Sequence, residues 1–133
     1  MLKPDFTRYS LALVDENKII FFSQEHGLKP LWDCLENYRH EKKNLILYDK
    51  VVGLAAAKLV SYSGIISAIE ALLISQPAKI YLEENHIKVK TKITVANILT
   101  KDRRSICPGE IIALNTDEPD DFRTKIKKML NNF

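Results

Sequence analysis

Charged and polar residues follow an apolar segment, residues 45–48, at a point where a strand is expected to lead directly into a helix. Asp49 and Lys50 stand at this junction, and Gly53 follows them. In α/β proteins, ligands bind where a strand hands over to its helix. Lys50 could attract a phosphate, Asp49 could hydrogen-bond a ribose or a base edge, and the helix start adds free backbone N–H groups. In the alternative interpretation, Asp49 caps the helix and Lys50 is solvated.

Gly53 bears on the choice between these interpretations. A glycine in the first turn of a helix costs about 1 kcal/mol relative to alanine. Close approach of a ligand to the backbone would explain the glycine, and tight packing of the helix on the sheet would explain it equally. We therefore include Gly53 among the candidate ligand-binding residues together with Asp49 and Lys50.

The next apolar segment also ends in residues typical of a helix start. Ser75 is followed by Gln76 and Pro77, so Ser75 is predicted as the N-cap and Pro77 falls in the first helical turn. Capping alone accounts for this pattern. Two adjacent helix starts that face one crevice would also form an anion site, because both present free N–H groups and a positive dipole end. Ser75 is therefore a second candidate for ligand binding.

A third candidate is the segment Cys107-Pro108-Gly109-Glu110, which is typical of a helix start with Cys107 as N-cap. A thiol at a helix N-terminus has a lowered pKa and can act as a nucleophile. Arg103, a few residues earlier, could bind a phosphate through its forked guanidinium. Glu110 is either a capping residue or a ligand contact. A purely structural role for the whole segment is the simpler alternative.

The elements that must position these residues follow from hydrophobic periodicity and turn chemistry. Part of the apolar run 65–74 is compatible with a helix as well as with a strand. Gly64 is well placed to end a helix in the left-handed conformation. We expect strands at residues 10–14, 19–23, 45–48, 65–74 and 87–93, and helices at residues 29–38, 51–62, 75–85, 95–101, 108–114 and from 118 onward. Residues 15–18 have turn chemistry, so the first two strands are expected to form a hairpin. The last helix is expected to have a buried stripe of Phe122, Ile126, Met129 and Leu130.

This order predicts an α/β fold with three layers, α-β-α, around a mixed sheet of about five strands. The 133 residues are expected to form one domain. The two cysteines are expected to be reduced thiols of a cytoplasmic protein. The first residues do not have the pattern of a signal peptide, and the run 65–74 is too short to span a bilayer. A homodimer is a further expectation, since small α/β domains often cover an exposed edge in this way.

Lysines recur on one side of the strand predicted at residues 87–93. Lys88, Lys90 and Lys92 alternate with apolar or hydroxyl side chains, so all three share one face, and the net charge of the chain is +3. This lysine face could bind an RNA backbone, or it could protect an edge strand from aggregation. Glu70 is a lone carboxylate in the apolar run 65–74, where it is either exposed or buried with a partner.

The order of elements and four sequence segments together resemble the DUF1893 family, a domain of unknown function whose members look like the cytidine deaminase fold. The matching segments are residues 13–17, 49–57, 74–78 and 103–110. The resemblance implies a deaminase-like sheet with a ligand face at the two central helix starts. It brings no established reaction.

Zinc deaminases hold their metal at these two helix starts, with a His-x-Glu or Cys-x-Glu pattern and a Pro-Cys-x-x-Cys pattern. This chain has Asp49-Lys50-Val51 at the first and Ser75-Gln76-Pro77 at the second, so no thiol or imidazole stands at either. The resemblance therefore implies a deaminase-like domain without zinc or another cofactor that binds a nucleotide-type ligand. Two alternatives remain: an enzyme acting on a nucleotide with Asp49 or Cys107 as nucleophile or base, and an RNA-binding or protein-interaction module.

Overall fold

A computed structural model of the chain describes residues 3–39, 43–99 and 107–131. The predicted order of elements is confirmed, apart from the helix expected at residues 95–101. The elements are β1 (Leu11–Asp15), β2 (Lys18–Ser23), α1 (Lys29–Tyr38), β3 (Leu45–Val52), α2 (Leu54–Ser63), β4 (Ile66–Ser75), α3 (Gln76–Glu84), β5 (Lys88–Val95), α4 (Pro108–Asn115) and α5 (Pro119–Asn131).

The strands form one five-stranded sheet in the order β2-β1-β3-β4-β5. Strand β1 runs antiparallel to β2 and β3, whereas β3, β4 and β5 run parallel to one another. The sheet is therefore mixed, and the predicted α/β class is confirmed. The layering of strands and helices is consistent with the predicted three-layer α-β-α arrangement. Glu16 and Asn17 both have positive φ in the tight turn from β1 to β2, which confirms the predicted hairpin.

The larger core cluster joins the sheet to residues of all five helices, and α2 lies deepest within it. Every residue of α2 from 54 to 60 is buried. Three consecutive alanines in this stretch give the helix a thin side-chain layer, which allows neighbouring elements to pack closely on several of its faces. A second, smaller cluster contains Tyr9, Ala12, Val14 and Tyr48. Because Ala12 and Val14 alternate with the main-core residues Leu11 and Leu13, the second cluster lies on the other face of the sheet.

The boundary between β3 and α2 differs from the prediction. The strand continues to Val52, and α2 begins at Leu54 rather than at residue 51. Residues 49, 51 and 52 all pair with β4, and residue 49 also pairs with β1, so neighbouring strands supply the backbone hydrogen bonds that prolong β3. Gly53 is consequently the N-cap of α2. The sequence had placed it in the first turn of the helix, and that prediction is wrong.

The other strand-to-helix junction agrees with its prediction. The whole apolar run is strand, as β4, and the Ser75 hydroxyl caps α3 by accepting a hydrogen bond from the backbone N–H of Ala78 at 3.3 Å. Gly64 ends α2 with φ at 70°, in the predicted left-handed conformation. Local sequence was sufficient at both positions, because each depends on residues within one helical turn.

The helix predicted at residues 95–101 is wrong over its described part. Strand β5 continues to Val95, and residues 96–99 are not helical. Helices α4 and α5 are confirmed. Of the four residues expected in the buried stripe of α5, Phe122 and Ile126 are buried, and Met129 and Leu130 are half-buried against the core. No helix in the described part of the chain is long and apolar enough to cross a membrane.

Candidate functional site

Asp49 and Lys50 lie within β3, and their side chains face opposite sides of the sheet. Successive residues of a strand point to opposite faces. Lys50 lines a cavity with residues of the N-terminal segment, which packs on the second cluster, whereas Asp49 lies close enough to Cys34 of α1 to influence that thiol. The predicted clamp, in which both side chains hold one group of a ligand at a helix start, is therefore not the observed arrangement.

The Asp49 carboxyl is enclosed by protein, although the residue retains partial surface exposure. Burial raises the pKa of this carboxyl to about 7, and a backbone hydrogen bond from Val51 lowers it only in part. Within the described ranges, no ion pair involves Asp49. The carboxyl is therefore protonated below neutral pH, because no neighbouring cation compensates for the loss of water around the charged form.

Cys34 is fully buried beside Asp49. Burial is the main cause that raises the pKa of its thiol to about 12, and the negative charge of Asp49 adds to the effect. A thiol in this environment is protonated at neutral pH and inert as a nucleophile. Cys34 therefore serves as a packing residue below the carboxyl.

Lys50 borders a cavity of about 180 Å³ on the other face. Two cationic side chains, Arg8 and Lys50, contribute to its wall, together with an imidazole and several hydroxyl groups. None of the described lining residues carries a carboxylate. The lining residues are Phe6, Thr7, Arg8, Tyr9, Ser10, Gln24, His26 and Lys50.

Gly53 has a packing partner within the chain. The Glu110 carboxylate accepts hydrogen bonds from the backbone N–H groups of Leu54 and Ala55, both at 2.8 Å. A Cβ added at Gly53 would lie 2.6 Å from Cδ and 2.9 Å from Oε2 of Glu110. The first two N–H groups of α2 are therefore bonded to a buried carboxylate, and close approach of Glu110 explains the glycine.

The role of Glu110 differs from the role suggested by its position in α4. Capping its own helix was one interpretation, but its side chain reaches the start of α2, more than fifty residues earlier in the chain. Glu110 is 5% exposed. Its charge lies at the positive end of the α2 dipole, where an anion is favoured. The carboxylate thus takes the place at which a ligand anion was expected.

Lys58 is an important residue that the sequence analysis did not identify. It lies in the middle of α2 and is 5% exposed, and its ammonium donates to the carbonyl oxygens of Ala113 at 2.6 Å and Thr116 at 2.8 Å. The ammonium also lies 5.6 Å from the ring centre of Phe122. Burial lowers the pKa of Lys58. A lysine surrounded by alanine, leucine and valine was the available signal in the sequence.

Glu110 and Lys58 form a reciprocal connection between two helices. Glu110 of α4 caps the N-terminus of α2, and Lys58 of α2 binds the last carbonyl groups of α4. Each charge meets the helix end that its sign favours. Helix α4 is thereby fixed to the core by two buried, charge-assisted contacts.

The remaining candidates contribute less to a common site. Ser75 is fully buried and its hydroxyl is engaged in capping α3. Cys107 is the N-cap of α4 as predicted, without a side-chain capping bond, and it is partly exposed. Arg103 lies outside the described residues. The structure thus brings Gly53 and Glu110 together and separates Asp49 from Lys50.

The lysine face lies on β5, at one edge of the sheet. Lys88, Lys90 and Lys92 are all exposed. Glu70 of the neighbouring strand forms an ion pair with Lys90 at 3.7 Å, and the side chain of Glu70 is 20% exposed. Glu70 therefore lies at the surface of the sheet with a cationic partner. Binding of RNA by this face stays a prediction.

Protein metal sites are built from His, Cys, Asp and Glu side chains. Within residues 3–39, 43–99 and 107–131, no group of three or more His, Cys, Asp and Glu side chains is arranged to hold a metal ion.

Comparisons with known proteins give a family and a structural relative. The family model described as a domain of unknown function, DUF1893, matches residues 5–130. The crystal structure of a DUF1893 family protein from Thermotoga maritima is similar to this chain, with a TM-score of 0.80 and 28% sequence identity. The match covers 96% of this chain and 83% of that chain. No curated protein matches.

Proposed function

The chain belongs to the DUF1893 family, and we propose that it is a deaminase-like domain that binds a nucleotide-type ligand through Asp49. The observation that supports this proposal is the enclosed carboxyl of Asp49, whose pKa is raised to about 7 by burial. A desolvated carboxyl that lacks a compensating cation is costly to a fold. Carboxyl groups with strongly raised pKa values are enriched at functional sites.

The chemistry of this carboxyl suits the edge of a nucleobase. A protonated carboxyl presents one O–H donor and one acceptor oxygen side by side. Nucleobase edges present donors and acceptors in the same adjacent arrangement, and an acidic side chain accepts from the amino group of cytosine. Asp49 lies on one of the parallel strands, near its carboxyl end, where α/β proteins bind their ligands. The resemblance to deaminases points to the same ligand class.

The proposal differs in its residues from the one based on sequence. Glu110 packs against Gly53 and accepts hydrogen bonds from the start of α2, and Ser75 caps α3. We therefore assign these three residues a structural role rather than ligand contacts. We assign the ligand contact on this face of the sheet to Asp49.

Two substitutions of Asp49 test the proposal by calorimetric titration with the four common nucleosides and their monophosphates. Asp49→Val removes the polar group, and we expect affinity to fall about tenfold or more, as for a lost hydrogen bond in a desolvated site. Asp49→Asn keeps a donor and an acceptor, so it should still bind the ligand. The affinity of the wild type should fall as pH rises past 7, whereas the affinity of Asp49→Asn should not depend on pH in this range. Asp120→Asn, which alters an exposed carboxyl on α5, is the control.

Unchanged affinity in Asp49→Val, or no binding of any nucleoside or nucleotide to the wild type, would contradict the proposal. The valine variant is expected to fold, because it replaces a desolvated carboxyl within a strand by an apolar, β-branched side chain of similar size. Thermal unfolding of each variant verifies this before binding is measured.

A second candidate function is an enzyme that uses Asp49 as a general base toward a nucleotide. The raised pKa favours it, because a base is most effective when its pKa lies near the working pH. The asparagine variant separates the two functions. It retains ligand binding in both cases, but for an enzyme it abolishes turnover of a bound nucleotide, which chromatography of the reaction mixture detects.

A further inference from the structure

We propose that the cavity beside Lys50 is a binding site for a phosphate group. This inference is independent of the function proposed for Asp49, since the two residues face opposite sides of the sheet. The cavity joins the N-terminal segment, the end of β2 and the strand β3. Residues from three separate parts of the chain therefore converge on one concave surface.

The charges around the cavity select an anion. Arg8 contributes a guanidinium and Lys50 an ammonium, and His26 adds an imidazole. Among the described residues, no carboxylate lines the cavity to neutralise these cations. A guanidinium offers a planar fork that fits two phosphate oxygens, and an ammonium adds a point charge beside it.

Two acidic residues, Asp5 and Glu25, lie next to lining residues in the sequence but are not among the described residues that line the cavity. The Asp5 carboxylate accepts hydrogen bonds from the backbone N–H and the hydroxyl of Thr7, and these bonds are the main reason that its pKa is lowered. Arg8 contributes to the same effect only as the last of the causes. The charge of Asp5 is thus largely satisfied within its own turn.

Hydrogen bonds hold the wall of the cavity in place before any ligand arrives. The Gln24 amide donates to the backbone carbonyl of Arg8 at 3.0 Å, and the N–H of Arg8 donates to the carbonyl of Asp5 at 3.0 Å. The Ser10 hydroxyl donates to the carbonyl of Ser23, and the N–H of Lys50 donates to the carbonyl of Ser10 at 2.9 Å. The backbone of the site is thus ordered before binding, which lowers the conformational entropy lost when a ligand binds.

The size of the cavity limits the ligand. Its volume of about 180 Å³ is smaller than the sites of about 300–1,000 Å³ that enclose whole drug-sized molecules. It fits a phosphate group, either as free inorganic phosphate or as the terminal group of a larger molecule that extends into solvent. Both sources present the same tetrahedral group of anionic oxygens to Arg8 and Lys50.

The test is an NMR titration of the full chain with inorganic phosphate, uridine 5′-monophosphate and uridine. We expect phosphate to shift the amide signals of Arg8, Gln24 and Lys50, and Lys50→Gln to weaken its binding about tenfold or more. Arg8→Gln is a second variant with the same expectation. Lys127→Gln, which alters an exposed lysine of α5, is the matched control and should bind as the wild type does.

The ligands distinguish the two sources of phosphate. Binding of both phosphate and the monophosphate, without uridine, supports a site that accepts a phosphate on a larger molecule. Binding of inorganic phosphate alone supports a site for the free ion. Shifts that are equal in Lys50→Gln and the wild type, or shifts confined to other parts of the chain, would overturn the proposal. Inorganic phosphate contains no nucleobase. Failure of nucleosides or nucleotides to bind at Asp49 therefore does not affect this test.

Discussion

Removal of the Glu110 carboxylate is expected to destabilise the protein strongly. In Glu110→Ala, the N–H groups of Leu54 and Ala55 lose their acceptor, each from a bond of 2.8 Å. A hydrogen bond to a charged group contributes about 1.5–3 kcal/mol, and the interaction of the charge with the helix dipole adds about 0.3–1 kcal/mol. These contributions are not additive, and the structure can partly close the space left by the Glu110 side chain. We therefore expect a loss of about 3–5 kcal/mol in the free energy of unfolding.

Urea unfolding at pH 7, followed by circular dichroism, measures this loss. Glu110→Gln retains one acceptor oxygen but turns an amide N–H₂ toward a backbone donor, so we expect an intermediate cost of about 1.5–3 kcal/mol. Glu84→Ala is the matched control, since Glu84 is an exposed glutamate at the end of α3. Its effect should remain within about 0.5 kcal/mol.

A double-mutant cycle with Gly53→Ala tests whether contact with Glu110 explains the glycine. The backbone at Gly53 is extended, with φ at −103°, so alanine is tolerated by the chain and its cost arises from contact with Glu110. We expect Gly53→Ala to be at least about 1 kcal/mol less harmful in the Glu110→Ala background than in the wild type. If the two substitutions are additive within about 0.5 kcal/mol, contact with Glu110 does not explain the glycine.

Three further predictions follow from the same structure. Because the pKa of Asp49 in the folded protein is raised to about 7 from 3.8, the wild type should lose about 3 kcal/mol of stability as pH rises from 4 to 7. Asp49→Asn should abolish this loss in urea unfolding at several pH values. In native protein, a thiol reagent should modify Cys107 and leave the buried Cys34 unmodified until the chain unfolds. Mass mapping of the peptides measures the order, and earlier modification of Cys34 would contradict the prediction. Lys90→Ala should change the free energy of unfolding by less than about 0.5 kcal/mol, because Lys90 is exposed in its ion pair with Glu70. If the lysine face binds RNA, Lys88→Glu and Lys92→Glu should abolish a salt-dependent affinity measured by fluorescence anisotropy.

The order of elements and the local caps were determined by the sequence. Hydrophobic periodicity depends on which faces of an element are buried, and it identified the hairpin, the central strands and α5. Ser75 and Gly64 were identified correctly because their capping bonds and backbone conformation involve neighbours within one helical turn. The α/β class followed from the alternation of strands and helices.

Only the tertiary structure determined where the charged residues point and what they contact. Strand β3 extends through Asp49 and Lys50 because β1 and β4 supply hydrogen bonds to its backbone, and this extension separates the two side chains. Glu110 reaches the start of α2 across 56 positions of the chain, and Lys58 reaches the end of α4 across 55 and 58. A local pattern carries no information on such distances, since the energy of a buried charge depends on which distant dipole the fold brings beside it.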